Sequence, residues 1–242
     1  MLIRVINPNT TASMTRSIGR AAERVAAPGV IVQAVNPGSG PASIESHYDE
    51  ALAVPGIVEE IVAGDAEGVD GYVLACFGDP GLLAAREIAH GPVVGMAEAA
   101  MRTAAYLGRS FSVVTTLART IGRAQDLAVQ FGVAQACAGY HAIDLPVLEV
   151  DTDPATYASL LEACRRALAG DRSDVIVLGC AGFAGLAPTL QNDLGAPVVD
   201  GVAAGVATVR GLIDQGLSTS RVLEFARPPA KEYAGTLSRF AL

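Results

Sequence analysis

No stretch of this chain comes near the roughly 20 uninterrupted apolar residues that a membrane-spanning helix needs, although 51% of its residues are hydrophobic and its mean hydropathy is +0.38. The apolar residues are mostly Ala, Val and Leu in short runs broken by Gly, Pro or charge. The N-terminus passes straight into the strand-like run Leu2 to Ile6, without the basic region, long apolar segment and cleavage site of a secretory leader. These absences point to a cytoplasmic protein with no membrane partner. Positive charge is scarce too: 17 Lys and Arg against 25 Asp and Glu leave a formal charge of −8. The basic residues are scattered, which argues against nucleic acid as a partner, because phosphate-backbone binding needs them clustered. Metal ligands are lacking as well. His47, His90 and His141, with Cys76, Cys137, Cys164 and Cys180, form no CxxC pair and no ligand-like spacing. No metal site is expected, and in a cytoplasmic protein no structural disulfide, so each cysteine is either a small buried hydrophobe or a reactive thiol. Finally, no GxGxxG follows the first strand-like run, where Asn7-Pro8-Asn9 stands instead, so a dinucleotide cofactor is not expected.

What is present fits a well-packed globular chain, since 242 residues of this composition can bury one or two cores. Strand-like runs recur at Leu2 to Ile6, Val30 to Val35, Gly71 to Ala75, Pro92 to Val94, Phe111 to Thr115, Asp174 to Gly179 and Pro197 to Val199. Ala-rich helical stretches separate them, and this alternation predicts an α/β fold with parallel sheets. Several runs are apolar at consecutive positions, as expected for strands covered on both faces. Thr10, Thr11 and Ser13 supply capping chemistry for a helix over Met14 to Ala26, and Asp153-Pro154 opens one over Ala155 to Ala169.

The most informative feature is an internal repeat. Val73, Leu74, Cys76, Gly78, Gly81 and Leu82 recur as Val177, Leu178, Cys180, Gly182, Gly185 and Leu186 at an offset of 104, and Pro92-Val93-Val94 recurs as Pro197-Val198-Val199 at 105. Such a period is too long for a solenoid and fits two duplicated α/β halves related by a pseudo-twofold axis. The expected domains are 1–97 plus about 208–242, and 98–207, with the tail from about Gly201 helical and packed back on the first half. In parallel sheets the functional crevice lies at the carboxyl ends of strands. Both Cys76 and Cys180 fall at such an end, so facing halves would bring two thiols to one interdomain cleft.

Two opposed thiols can remove a proton from one face of a carbon acid and return one to the other, without moving the substrate. A reference pKa of about 8.5, lowered by a helix N-terminus or nearby donors, would leave one sulfur as thiolate and the other as thiol. Gly78 and Gly182 let the backbone approach and aim N–H groups at oxygen that becomes negative as an enolate develops. A cysteine met alone at an apolar strand end is more often packing than catalyst. That reading stands for Cys164, inside the Leu160 to Leu168 helix, and for Cys137, in a Gln-Ala-Cys-Ala connection. The repeat sets Cys76 and Cys180 apart.

The segments Asn7-Pro8-Asn9-Thr10, Gly40 to Glu45, Ala75-Cys76-Phe77-Gly78-Asp79-Pro80-Gly81, Ser112 to Leu117 and Leu178-Gly179-Cys180-Ala181-Gly182 resemble hydantoin racemases and their allantoin-racemising relatives, in the aspartate/glutamate/hydantoin racemase superfamily. The resemblance runs from residue 1 to about residue 235. It implies two pseudo-symmetric Rossmann-like (flavodoxin-like) three-layer domains with the active site between them. It further implies cofactor-free two-base racemisation at C5 of a 5-substituted hydantoin by Cys76 and Cys180, and a homo-oligomer. Carried over position by position, Phe77, Gly78, Ala181 and Gly182 fall in the loops that hold the ring, and Asn9, Ser43, Thr115 and Thr116 in the other polar loops of the cleft. Each polar residue also has a local reading: Asn9 as a turn or cap residue, Thr116 as a cap, and Ser43 as the cap of a helix over Ile44 to Leu52. Asp79 has no counterpart in the second motif, where Phe183 stands, and reads as an N-cap or turn residue rather than a base. Aspartate and glutamate racemases, more distantly similar, carry polar residues after their cysteines. Here Phe77-Gly78 and Ala181-Gly182 favour a neutral flat ring over a zwitterion. The alternatives are an amino-acid racemase, a maleate-isomerase-like enzyme adding one cysteine covalently, an arylmalonate-decarboxylase-like enzyme that needs only one thiol, and a non-catalytic small-molecule binder.

Overall fold

The computed structural model describes residues 1–241. Eight strands alternate with eight helices. In the first half these are β1 (Leu2–Ile6), α1 (Ala12–Val25), β2 (Ile31–Val35), α2 (His47–Ala66), β3 (Gly71–Leu74), α3 (Leu82–Ile88), β4 (Val93–Gly95) and α4 (Met96–Leu107). The second half repeats the pattern with β5 (Phe111–Thr115), α5 (Ile121–Gln130), β6 (Cys137–Ala142), α6 (Thr156–Asp171), β7 (Val175–Leu178), α7 (Ala187–Leu194), β8 (Val198–Asp200) and α8 (Gly201–Asp214). Two four-stranded parallel sheets result, ordered β2-β1-β3-β4 and β6-β5-β7-β8. The register repeats with them. Val5 pairs with Val73 and Leu74 with Gly95 in the first sheet, as Val113 pairs with Val177 and Leu178 with Asp200 in the second.

The α/β class and the duplication therefore stand, and the central strands β1, β3, β5 and β7 are buried along nearly their whole length, as consecutive apolar positions require. The sequence reading missed β6. Its residues, Cys137-Ala138-Gly139-Tyr140-His141-Ala142, include no β-branched side chain, and it is an edge strand that one neighbour and half-burial suffice to hold. Cys137 thus begins a strand rather than lying in a connection.

Helix starts differ in detail. Thr11 is the N-cap of α1 but makes no side-chain cap bond, because its Oγ1 donates to the Ala42 carbonyl (2.7 Å) instead. Asn9 Oδ1 accepts the Thr11 N–H at 2.9 Å. Helix α2 starts at His47, capped by Ser46 rather than Ser43: Ser46 Oγ accepts the Asp49 N–H (3.2 Å) and donates to the Asp49 carboxylate (2.7 Å). Asp153 accepts the N–H of Ala155 (2.8 Å), just ahead of α6.

The two halves exchange their last helices. α4, which follows β4, packs on β7, β5 and β8, while α8, which follows β8, packs on β3, β4 and β1. Small residues permit this crossing: Gly201 lies against Met96 at the start of α4, and Gly205 against Val73. One apolar cluster consequently runs from Ile3, Val5 and Val73 through Met96, Ala100 and Val202 to Phe111, Val113 and Val177. A second cluster, with Leu160, Cys164, Ile176, Phe183 and Leu190, fills the far side of the second sheet. Burial of each such side chain contributes roughly 1.5–3 kcal/mol, so the halves are joined through a shared core and the cleft between them has firm walls.

Candidate active site

Each cysteine is placed by the strand before it. The Ala75 N–H donates to the Ile6 carbonyl (2.8 Å) and the Gly179 N–H to the Val114 carbonyl (2.8 Å), extending β3 and β7 by one residue before the chain turns. The turns need the glycines of the repeat: Gly81 and Gly185 have φ of 65° and 86°, a left-handed conformation that side chains resist. Cys76 and Cys180, both half-buried, face one cavity of about 110 Å³. Its wall also contains Asn9, Phe77, Gly78, Thr115, Thr116 and Ala181. Of the residues singled out from sequence, Ser43 and Gly182 do not line it. Gly182 lies just behind, where its N–H donates to Cys180 Sγ at 3.3 Å.

The polar loops are themselves well tied. Asn9 Oδ1 accepts from Asn7 Nδ2 (2.9 Å) and from the Thr11 N–H, while Asn9 Nδ2 has the weak acceptor Met14 Sδ at 3.2 Å. Its carbonyl thus serves the turn, and its amide nitrogen has only the weak sulfur acceptor. Thr115 Oγ1 donates to the Gly179 carbonyl (2.9 Å), fixing the residue before Cys180. Thr116 offers its hydroxyl to the Cys180 sulfur.

Burial decides the ionisation of both thiols. It pushes Cys76 up to about 12, against the Gly78 N–H that favours the thiolate, and Cys180 and Glu50 add to the rise. It pushes Cys180 up to about 11, against the Gly182 N–H and the Thr116 hydroxyl. The sequence reading of donors lowering a thiol is half right: the donors are present, but the desolvation of a charged sulfur outweighs them. Both sulfurs are neutral thiols in the free cleft at neutral pH.

Residues that the sequence reading passed over complete the wall: Glu45, His47, Glu50, Arg119, Thr120 and Arg123. The Glu45 carboxylate accepts the Val147 N–H (3.0 Å), tying the approach to α2 onto the second half. Glu50 forms an ion pair with Arg123 (3.4 Å), yet burial keeps its carboxyl above the usual range. None of these lies in the repeat. Position gave the one usable signal, because Thr120 and Arg123 follow the Thr115-Thr116 strand end, where a cleft residue belongs.

Asp79 is a cap, as its lack of a counterpart suggested. It is 2% exposed, and its carboxylate accepts the N–H groups of Ala97 (3.1 Å) and Glu98 (2.9 Å) at the start of α4. Cys164 is buried in α6 away from the cavity, and Cys137 donates weakly to the Gly139 carbonyl (3.6 Å). Among the described residues no group of three or more His, Cys, Asp or Glu could hold a metal ion, and no helix is long and apolar enough to cross a membrane.

The model of the Asp/Glu/Hydantoin racemase family matches residues 3–209. The chain belongs to that family. It is 44% identical over 241 residues to a hydantoin racemase from Pseudomonas sp. (strain NS671), covering 99% of this chain and 97% of the relative. Identity to a hydantoin racemase from Rhizobium meliloti is 47% over 236 residues, with 97% and 98% covered. Among solved structures, an allantoin racemase from Klebsiella pneumoniae superposes with a TM-score of 0.98 at 50% identity, covering 100% of this chain and 99% of that one. The duplicated halves and the cleft thus stand in an Asp/Glu/hydantoin racemase family setting, where the paired strand-end cysteines take on chemical meaning.

Proposed function

We propose that this protein racemises 5-substituted hydantoins, with a broad hydantoin racemase or an allantoin racemase as the two forms of that activity, using Cys76 and Cys180 as opposed acid and base. The observation that carries this reading is the pair of thiols at equivalent strand ends on one small cavity. The reactive form is the minor one in which one sulfur has lost its proton to solvent: that thiolate takes the C5 proton, the thiol opposite delivers its proton to the other face, and the carbanion between them is an enolate. The N–H groups of Gly78 and Gly182 favour the thiolate form of Cys76 and Cys180 respectively, the form that takes the proton. Asn9, Phe77, Thr115, Thr116 and Ala181 bound the space around the ring, and Ser43 acts, on this reading, through the loop before α2. Two of the charged wall residues are already engaged, Arg123 with Glu50 and Glu45 with the Val147 N–H, while the residues directly after the two cysteines, Phe77-Gly78 and Ala181-Gly182, carry no charge. That supports a neutral ring. Homo-oligomer formation belongs to the same reading and rests on the family resemblance, and a cytoplasmic location rests on the composition of the N-terminal run.

The test is the decay of optical signal from single enantiomers of allantoin, a 5-alkylhydantoin, a 5-arylmethylhydantoin, aspartate and glutamate, with purified protein and no added cofactor. Decay of a hydantoin signal to zero is the expected result. Loss of rotation with an amino acid alone would sink the hydantoin reading and move the activity to the amino-acid branch.

A further inference from the structure

Building on the assignment of the thiols as acid and base, we propose that Arg123 is a positioning residue for Cys76, acting from the opposite half of the molecule through the Gly78 peptide. Arg123 lies in α5, yet its Nε and Nη2 both donate to the Gly78 carbonyl, at 3.1 and 2.8 Å. Its Nε also lies 3.4 Å from the Glu50 carboxylate of α2. One guanidinium therefore bridges the Cys76 loop, α2 and the second half. The planar fork suits this task, because two donors on one carbonyl oxygen fix the plane of the peptide as well as its distance.

Gly78 needs such an anchor. A Cβ at 78 would displace the Glu50 carboxylate, and glycine, having no Cβ, leaves the adjoining peptides freer to rotate. Within its own loop, the Asp79 N–H to the Cys76 carbonyl (2.9 Å) closes the turn. The Gly78 N–H favours the Cys76 thiolate, and Arg123, by holding the Gly78 carbonyl in the next peptide, restrains the rotation about Gly78 that would swing this donor away from the sulfur. Arg123 also pairs with Glu50, whose negative charge disfavours that thiolate, and so offsets it with a positive charge.

The second thiol is served differently. Gly182 lies within a turn of 3-10 helix, Ala181–Phe183, closed by Phe183 N–H to the Cys180 carbonyl (3.1 Å) and Ala184 N–H to the Ala181 carbonyl (3.0 Å), with Phe183 fully buried. That loop is locked by its own backbone and packing. Arg123 is thus specific to one of two otherwise equivalent thiols. The charged and titratable groups that act on Cys76 are Cys180, Glu50 and Asp79, and Glu45, His47 and Arg119 share the cavity wall with Arg123.

The experiment measures alkylation of each cysteine by iodoacetamide against pH, read by peptide mass spectrometry, in the intact protein and in Arg123→Gln, Arg123→Lys and Glu50→Gln. For Arg123→Gln, the Cys76 rate falls by about tenfold, equivalent to roughly one unit of pKa, and the Cys180 rate is unchanged. Arg123→Lys, which keeps the charge but loses the fork, falls between. Glu50→Gln removes a negative charge and does not slow Cys76. With a hydantoin substrate, Arg123→Gln lowers kcat and leaves KM near its original value. Equal slowing of both cysteines would reduce Arg123 to a structural residue, and an unchanged Cys76 rate would remove it altogether; either result overturns the proposal. If the unsubstituted protein racemises nothing, the function assignment fails, while the alkylation ratio still decides the role of Arg123.

Discussion

The loops that carry Cys76 and Cys180 descend from one repeat, yet they are held by different means. In the first, Asp79 sits at a φ of 43° and reaches across to cap α4, and Gly95 at the end of β4 leaves room for its carboxylate. In the second, the capping carboxylate has moved: Asp200, the register equivalent of Gly95, caps α8 through the N–H groups of Val202 (2.8 Å) and Ala203 (3.4 Å) and also accepts from Gly185 (2.8 Å). Phe183 then takes the place of Asp79 and fills the core. Both exchanged helices thus begin on an aspartate, buried at 79 and partly buried at 200, delivered from opposite ends of the loop. The lesson is that duplication preserves a function, here anion at a helix N-terminus, while the residue that performs it drifts. At the chemical level the asymmetry is smaller. Burial raises both thiols, and the Thr116 hydroxyl, which has no counterpart beside Cys76, leaves Cys180 the lower of the two.

The largest expected effect tests whether the halves are chemically equivalent. Cys76→Ser and Cys180→Ser should each cut racemisation by about a thousandfold, within the usual range for losing a general acid or base. Each variant should still exchange the C5 proton of one enantiomer in deuterated water, and opposite enantiomers for the two, by proton NMR. Near-original racemisation by either variant would break the two-base scheme.

Next in size is the relocated cap. Gly95→Asp alone places a side chain on the Asp79 carboxylate and should destabilise by about 2 kcal/mol, and Asp79→Ala alone by about 1–2 kcal/mol through the lost cap. Together they rebuild the arrangement of the second half, so the double variant should recover much of the loss in chemical denaturation, with a coupling of about 1–3 kcal/mol. Simple additivity would show that the two caps are not interchangeable.

The smallest effect concerns the thiols themselves. Because both lie above the ordinary cysteine value, thiolate and therefore alkylation should grow about tenfold per pH unit from neutral into the alkaline range. Cys180 should stay ahead of Cys76, since the Thr116 hydroxyl adds a second donor that favours its thiolate. A plateau near pH 8, or Cys76 reacting first, would contradict the balance of burial against donors described here.

Much of this molecule was legible in the chain. The strands other than β6 announce themselves through Val, Ile and Leu at consecutive positions, and the register equivalence of Cys76 and Cys180 follows from a repeat in plain view. Strand β6 escaped because a Gly- and Ala-containing edge strand is stabilised by its neighbour rather than by its own composition. The start of α2 escaped because Ser43 and Ser46 both offer a cap, and the choice between them depends on Asp49 receiving the Ser46 hydroxyl. Glu50 and Arg123 escaped for a stronger reason: nothing local marks a helix-surface residue whose partner is a backbone carbonyl 45 positions away.

The amino-acid sequence by itself determined the α/β alternation, the two-fold duplication and the identity of the paired thiols, because hydrophobic period, turn glycines and repeat spacing are short-range properties written directly in residue order. Tertiary structure alone decided that α4 and α8 exchange sheets, that a side chain of the second half anchors the Cys76 loop, and that both sulfurs rest as neutral thiols. Those outcomes depend on which surfaces exclude water and which dipoles meet across space, and the cost of charging a buried sulfur is set by everything around it at once.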